Sequence, residues 1–338
     1  MHLSEKTKLL LKILIPAAIG IGVTILLFGK EFNSETLSSI QFSSTIWGGI
    51  VLALIATFFR DFGLAWRFKS ITDDQLKWKQ AAKITGLCEF TSAITPTSVG
   101  GSALSMIFLQ REGIKLGRAT SLTLTTLFLD ELFFVIAVPL VFLVIPAEEL
   151  FGFADSALAS ELRATFWIVY GIICVIAAAL FIAIFISPKL IGAIIKGVFR
   201  LPILRRWKSG AEKTASDLIL TSAELRGKTL RWWSRPAAAT VISWCGRFLV
   251  VNALIWAVAP QASQDLVLGR QLIVWALLTF TPTPGGAGVS EYLFKTYYSD
   301  ILAGPMLMAV AIIWRVFTYY IYLLAGFFLL PLVLKKKS

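Results

Sequence analysis

Six runs of this chain are long and apolar enough to cross a lipid bilayer as helices, and they leave no stretch for a sizeable soluble domain. They lie at about 9–29, 44–66, 118–145, 163–187, 236–259 and 303–334, and a spanning helix needs about 20 mostly apolar residues. Charged residues make up only 15% of the 338, against about a quarter in a soluble globule. Lys6, Lys8 and Lys12 before the first run suggest a secretory signal, but no convincing small-residue cleavage site follows, so it reads as a retained span. The expected fold is an all-α polytopic membrane protein.

The formal charge of +12 raises nucleic acid as a partner, since basic patches neutralise phosphates. The cations sit in short loops between spans, however, and membrane topology accounts for them better. Arg60, Arg67, Lys69, Lys77, Lys79 and Lys83 follow the second span, and a run of Lys and Arg from Lys189 to Arg235 follows the fourth. The connection from Ile145 to Leu162 instead carries Glu148, Glu149, Asp155 and Glu161 with no basic residue among its loop positions, and Lys335, Lys336 and Lys337 close the chain. The basic side is cytoplasmic by the positive-inside rule, which puts both termini there. The closing lysines also fit a dilysine retrieval signal in a eukaryote, but positive-inside charge is the simpler account.

Two further apolar stretches, near 81–112 and 266–298, are interrupted at their centres. The topology closes if each enters and leaves on one side, the first from the cytoplasm and the second from outside, as re-entrant hairpins. The expected organisation is one transmembrane domain over 1–338. Its first half, 1–187, and second half, 236–338, each hold a hairpin and are related by a pseudo-twofold axis in the membrane plane, as in inverted-repeat transporters. The connection 188–235, with Trp207, Trp232 and Trp233 among its cations, suits an interfacial amphipathic helix and equally a solvated loop.

The interruptions read Thr95-Pro96-Thr97-Ser98-Val99-Gly100-Gly101-Ser102 and Thr281-Pro282-Thr283-Pro284-Gly285-Gly286-Ala287-Gly288. Proline removes a donor and disfavours helix at the residue before it, and Gly-Gly permits positive φ. Each motif therefore ends one half-helix and begins another. An open backbone survives at membrane depth only inside protein or beside a wet cavity. The second arm of each hairpin starts at the tip, aiming unpaired N–H groups and a helix dipole inward, an arrangement for an anion. Gly and Pro are also simply frequent in membrane helices; two copies at matching places weaken that explanation.

Ionisable groups in mid-span are functional candidates by default: here Asp130, Glu131, Arg247 and Arg315. Asp130 follows Thr95 by 35 positions and Arg315 follows Thr281 by 34, which predicts near-equivalent depths and a facing pair. Arg315 with Arg247 serves as countercharge to a phosphate in the functional reading, with Asp130 or Glu131 holding the Arg when the site is empty. In the structural reading the pair fastens the halves. Glu89 and Glu291, on the hairpins, are candidates for titration, proton coupling or a wet vestibule. The anion site is thus expected at Thr95, Pro96, Gly100, Gly101, Ser102, Thr281, Pro282, Pro284, Gly285, Gly286, Gly288, Arg247 and Arg315, with coupling or gating by Glu89, Asp130, Glu131 and Glu291. Cys88, Cys174 and Cys245 lie in apolar segments and read as packing residues. His2 is the sole histidine, and no spacing suggests a metal, cofactor or nucleophile–base pair.

At these residues the sequence resembles the flippase-like family that includes the transmembrane domain of lysylphosphatidylglycerol synthases. Pro284 to Glu291 is similar to that family's late Pro-Gly-Gly-x-Gly-x-x-Glu signature. The Thr95–Gly101 break, the run Leu109-Gln110-Arg111-Glu112-Gly113-Ile114 and Trp314-Arg315 support it, although Ser102 stands where some branches have a Glu. The resemblance implies movement of a lipid headgroup between leaflets of a prokaryotic plasma membrane. It implies a stand-alone, non-enzymatic member, since the chain stops at Ser338, where synthases continue into a fused catalytic domain. The expected partners are a phospholipid or polyprenyl-type lipid, the bilayer, and no nucleic acid; a separate lipid-modifying enzyme and a homo-oligomer stay open. The alternatives are a secondary transporter of a small anionic solute and, third, a membrane-embedded lipid-modifying transferase using Asp130-Glu131.

Overall fold

The computed structural model describes residues 22, 25, 44–95, 99–152, 156–187, 219, 221–302 and 304–334. Nearly all of the expected first span, 9–29, the bulk of the 188–235 connection and the last four residues lie outside them.

The described residues are helical almost throughout. In chain order the helices are α1 (Ser44–Ile71), α2 (Trp78–Ile94), α3 (Val99–Arg111), α4 (Leu116–Val144), the short α5 (Ala147–Phe151), α6 (Ser156–Phe181), α7 (Leu230–Val258), α8 (Gln264–Leu278), α9 (Val289–Tyr298), α10 (Gly304–Arg315) and α11 (Ile321–Leu334). Wider π turns at Ile182–Ile186 and Val316–Tyr320 prolong α6 and join α10 to α11. Five of the resulting spans among the described residues, Ser44–Ile71, Leu116–Val144, Ala157–Ile186, Leu230–Val258 and Gly304–Gly326, are long and apolar enough to cross a bilayer. Their outward faces carry large apolar side chains: Leu143 is 82% exposed, Val144 74% and Val175 68%. Such a surface is stable against lipid and unstable against water.

Helices α1 and α7 form the central pair and pack antiparallel through small residues. Gly49 abuts Ala253 and Ala257, Gly246 abuts Ala56 and Arg60, and Gly63 abuts Ala239 and Ser243. In a bilayer such close backbone approach supplies packing energy that the hydrophobic effect does not. A Cβ on Gly246 would stand 2.6 Å from the Arg60 nitrogen and 2.7 Å from the Ala56 oxygen. Gly246→Ala must therefore push α7 off α1, and an unfolding titration in mixed micelles is expected to show a loss of about 1–3 kcal/mol. An unchanged midpoint would mean the pair is less tightly seated.

Helices α2, α3, α8 and α9 are too short to span. At about 1.5 Å per residue, the 17 residues of α2 and the 15 of α8 fall short of a hydrocarbon core of roughly 30 Å. Each pairs with its successor as a closed hairpin. At the base of α2–α3, Glu112 pairs with Lys83 and accepts from Gln80 Nε2 at 2.8 Å. At the base of α8–α9, Arg270 donates to Asp300 at 2.7 and 2.8 Å and to the Tyr297 carbonyl at 2.7 Å. Helix α4 separates the two bases. Near its start Arg118 reaches Asp73 in the turn before α2, at 3.0 Å, and beyond its end the Glu149 carbonyl accepts from Arg270 at 3.0 Å.

Two sequence expectations change here. Helix α1 runs on to Ile71, so Arg60 and Arg67 are helix residues, 0% and 3% exposed, rather than loop cations. Likewise α7 begins at Leu230 and takes in Arg231, Trp232, Trp233 and Arg235 from the expected connection. Asp73 accepts from Lys228 Nζ at 2.9 Å and from Trp232 Nε1 at 2.7 Å, tying the α1–α2 turn to the start of α7. Arg235 and Lys69 hydrogen-bond to the neighbouring Asp74 and hold its carboxyl below the usual carboxylate range.

Candidate functional site

The two sequence breaks meet at the centre. Thr95 adopts the extended conformation (φ −103°, ψ 147°) that a residue before proline prefers. Its hydroxyl donates to the Thr91 carbonyl at 2.6 Å, closing the end of α2. The Thr281 hydroxyl does the same for α8, donating to the Leu278 carbonyl at 2.5 Å. The tips then join across the halves, the Gly285 N–H donating to the Thr95 carbonyl at 3.4 Å. Gly285 and Gly286 hold φ of +57° and +69°, a region costly for residues with a Cβ. On the first tip, Gly101 lies so close to Cys88 and Ser92 of α2 that a side chain there has no room.

Beside the joined tips is a cavity of about 130 Å³ walled by both halves. Its charged wall is Arg67 from α1, Glu89 from α2, Asp130 and Glu131 from α4, Arg247 from α7 and Arg315 from α10. Trp244, Trp275, Trp314 and Tyr319 add aromatic surface, and Gly285 and Gly286 expose backbone to it. Thr95, Gly101, Thr281, Pro282, Pro284 and Gly288 stand in the framework of the breaks, outside the cavity wall. Pro96 lies outside the described residues, and Gly100 and Ser102 are placed as backbone of α3.

Ion pairs organise the wall. Glu89 is shared: one carboxylate oxygen pairs with Arg60, and the other accepts from Arg247 Nη2 at 2.9 Å. Arg247 also lies 4.7 Å from the Trp275 ring and 5.1 Å from that of Trp244, within cation–π range. Asp130 accepts from Arg67 Nη1 at 2.5 Å and from Trp244 Nε1 at 2.9 Å. Arg315 pairs with Glu291 at 2.8 Å, donates to the Gly285 carbonyl at 3.2 Å, and lies 4.2 Å over the Tyr319 ring.

These pairs correct two expectations. Asp130 and Arg315 reach the same cavity but not each other, because Arg67, carried on the continuation of α1, takes Asp130 and the nearby Glu291 takes Arg315. The N-terminus of α9, expected to receive a ligand anion, already has one. The second carboxylate oxygen of Glu291 accepts from the Gly288 N–H at 2.8 Å and the Ser290 hydroxyl at 2.9 Å. Glu291 thus neutralises both the helix dipole and Arg315.

Arg60 and Arg67 escaped the sequence reading as site residues. One signal pointed to Arg60: it precedes Thr95 by 35 positions, much as Arg247 precedes Thr281 by 34. Donors remain after all pairs are made. Arg60 Nε and Nη1, Arg67 Nε and Arg247 Nε are buried without a hydrogen-bond partner among the described residues. Of these residues Arg67 and Arg247 line the cavity, where a spare guanidinium donor can receive an acceptor.

The family model for the lysylphosphatidylglycerol synthase TM region matches residues 10–326. A UPF0104 membrane protein of Archaeoglobus fulgidus is 23% identical over 316 residues, covering 89% of this chain and 91% of that one. With a match that takes in both breaks and every charged residue of the cavity wall, the chain is an integral membrane protein belonging to the family of the lysylphosphatidylglycerol synthase transmembrane region.

Proposed function

We propose that the protein is a lipid translocase that carries a phosphate-bearing headgroup through the central cavity while the acyl or prenyl tails stay in the bilayer. The observation that carries this reading is the surplus of buried guanidinium donors around a cavity at the junction of the halves. A phosphate offers acceptors to several such donors at once. In this reading the chain is one transmembrane domain. The α2–α3 and α8–α9 hairpins are re-entrant from opposite faces, and the halves form an inverted repeat about the α1–α7 contact. The antiparallel glycine packing of that pair and the opposite placement of the hairpin bases support it. Both termini face the cytoplasm of a prokaryotic cell. The cargo is a phospholipid or polyprenyl-type lipid made by a separate enzyme, and the protein itself performs no covalent chemistry.

The test is headgroup-resolved lipid movement in proteoliposomes, with phosphatidylglycerol, phosphatidylethanolamine and polyprenyl phosphate as cargo. Arg247→Gln removes a cavity donor while leaving Arg60 on Glu89. It is expected to slow movement roughly 10- to 100-fold, the value of one or two charge-assisted hydrogen bonds, with folding retained. Uptake of a soluble anion by the wild type, with no lipid moved, would replace the translocase by a secondary transporter.

A further inference from the structure

We infer that Glu131 is a proton-binding site that couples headgroup movement to proton flow. This rests on the translocase reading and adds its energy source.

Glu131 lies on α4, 6% exposed, in the cavity wall, and its Oε2 has no hydrogen-bond partner among the described residues. The groups facing the same volume are engaged with one another. Arg67 of α1 is on Asp130, Glu89 of α2 is between Arg60 and Arg247, and Arg315 of α10 is on Glu291. Asp61, one residue past Arg60, accepts from the Tyr322 hydroxyl at 2.8 Å. Each guanidinium of the cavity wall is paired with a carboxylate other than Glu131, and its sequence neighbour Asp130 contributes a like charge. A carboxylate so placed is costly as an anion and is relieved by binding a cation. Among the described residues no cluster of three His, Cys, Asp or Glu could hold a metal ion, and one carboxylate is too few ligands for a hard metal. A proton needs only one oxygen, and a cavity of about 130 Å³ has room for the waters that deliver it.

The charge count makes the coupling. With Glu131 ionised, the wall holds three guanidinium groups, Arg67, Arg247 and Arg315, and three carboxylates, Glu89, Asp130 and Glu131. A phosphodiester monoanion then meets a neutral wall with a bare carboxylate in it. When a hydronium on the acidic side gives up its proton, forming the O–H bond on Glu131, the wall gains one net positive charge. Proton and phosphodiester then enter as a neutral pair. Linkage is reciprocal: the bound anion holds the proton, and the proton holds the anion.

The experiment uses the full chain in proteoliposomes with headgroup-labelled phosphatidylglycerol, comparing exchange at equal pH with net redistribution under a pH gradient. The wild type should exchange faster in acid and, at one proton per lipid, redistribute up to about tenfold per pH unit. Glu131→Gln should lose both the pH dependence of exchange and the gradient-driven redistribution, and Glu131→Asp should retain them. Calorimetry of short-chain phosphatidylglycerol in buffers of different ionisation enthalpy should register about one proton taken up per lipid by the wild type, whether or not the Gln variant folds. Exchange with no pH response, no proton uptake, or coupling that survives in Glu131→Gln would overturn the proton site while leaving the translocase. Absence of any lipid exchange at every pH would overturn the translocase and the coupling with it.

Discussion

Glu89→Gln is expected to cost about 3–5 kcal/mol of folding stability, the range for removing one member of a buried ion pair. Glu89 is the common partner of two guanidinium groups whose side chains are 0% and 13% exposed. With glutamine the charge goes, and an amide N–H₂ replaces one acceptor, so both cations lose compensation together. The Arg60 guanidinium would keep its place 4.4 Å from the Tyr322 ring, too weak a contact to replace a carboxylate. Reversible unfolding in mixed micelles measures the loss. Adding Arg60→Met to Glu89→Gln should recover part of it, because removing the second charge ends the isolation of the first. A wild-type midpoint for Glu89→Gln would mean the two arginines are neutralised by another group.

Membrane class and the two breaks were legible in the sequence because each rests on a local rule. Spans follow from the length of an apolar run, and the end of α2 follows from Thr95 standing before a proline. Charge pairing was not legible, because it depends on where a helix ends. An apolar count stopped the second span at 66 and sent Arg67 to the loop, whereas α1 reaches Ile71. The helix continues there with Arg67 neutralised by Asp130 of α4 and Lys69 by Asp74. The 35- and 34-residue offsets drew attention to Asp130 and Arg315, and both line the one cavity. Spacing carried no direction for the side chains, so the facing pair it suggested resolved into two separate pairs. The role of Glu291 was hidden for the same reason, since only the turn geometry shows its carboxylate folded back on the Gly288 N–H.

Gly285→Leu is expected to bring lipid movement to the background of protein-free vesicles, because this one residue joins three parts of the site. Its N–H reaches Thr95 on the other hairpin, its carbonyl accepts from both terminal nitrogens of Arg315, and its α-carbon faces the Tyr319 ring. A side chain here meets two costs: φ of +57°, about 1–2 kcal/mol for a residue with a Cβ, and collision with Tyr319, about 1–3 kcal/mol. Alanine separates them. At Gly286 the φ is +69° but the nearest neighbour of an added Cβ is the flexible Leu278 tip at 3.3 Å, so Gly286→Ala should bear the backbone cost alone. Gly285→Ala should be the more damaging by the cost of the Tyr319 clash, and in a double-mutant cycle it should cost less stability in a Tyr319→Ala background than in the wild type. Tyr319→Ala should not recover transport, because the backbone still leaves the conformation that joins Thr95 to Arg315. Transport restored along with stability would show that the tip serves only as packing, and the junction of the halves would lose its place in the mechanism.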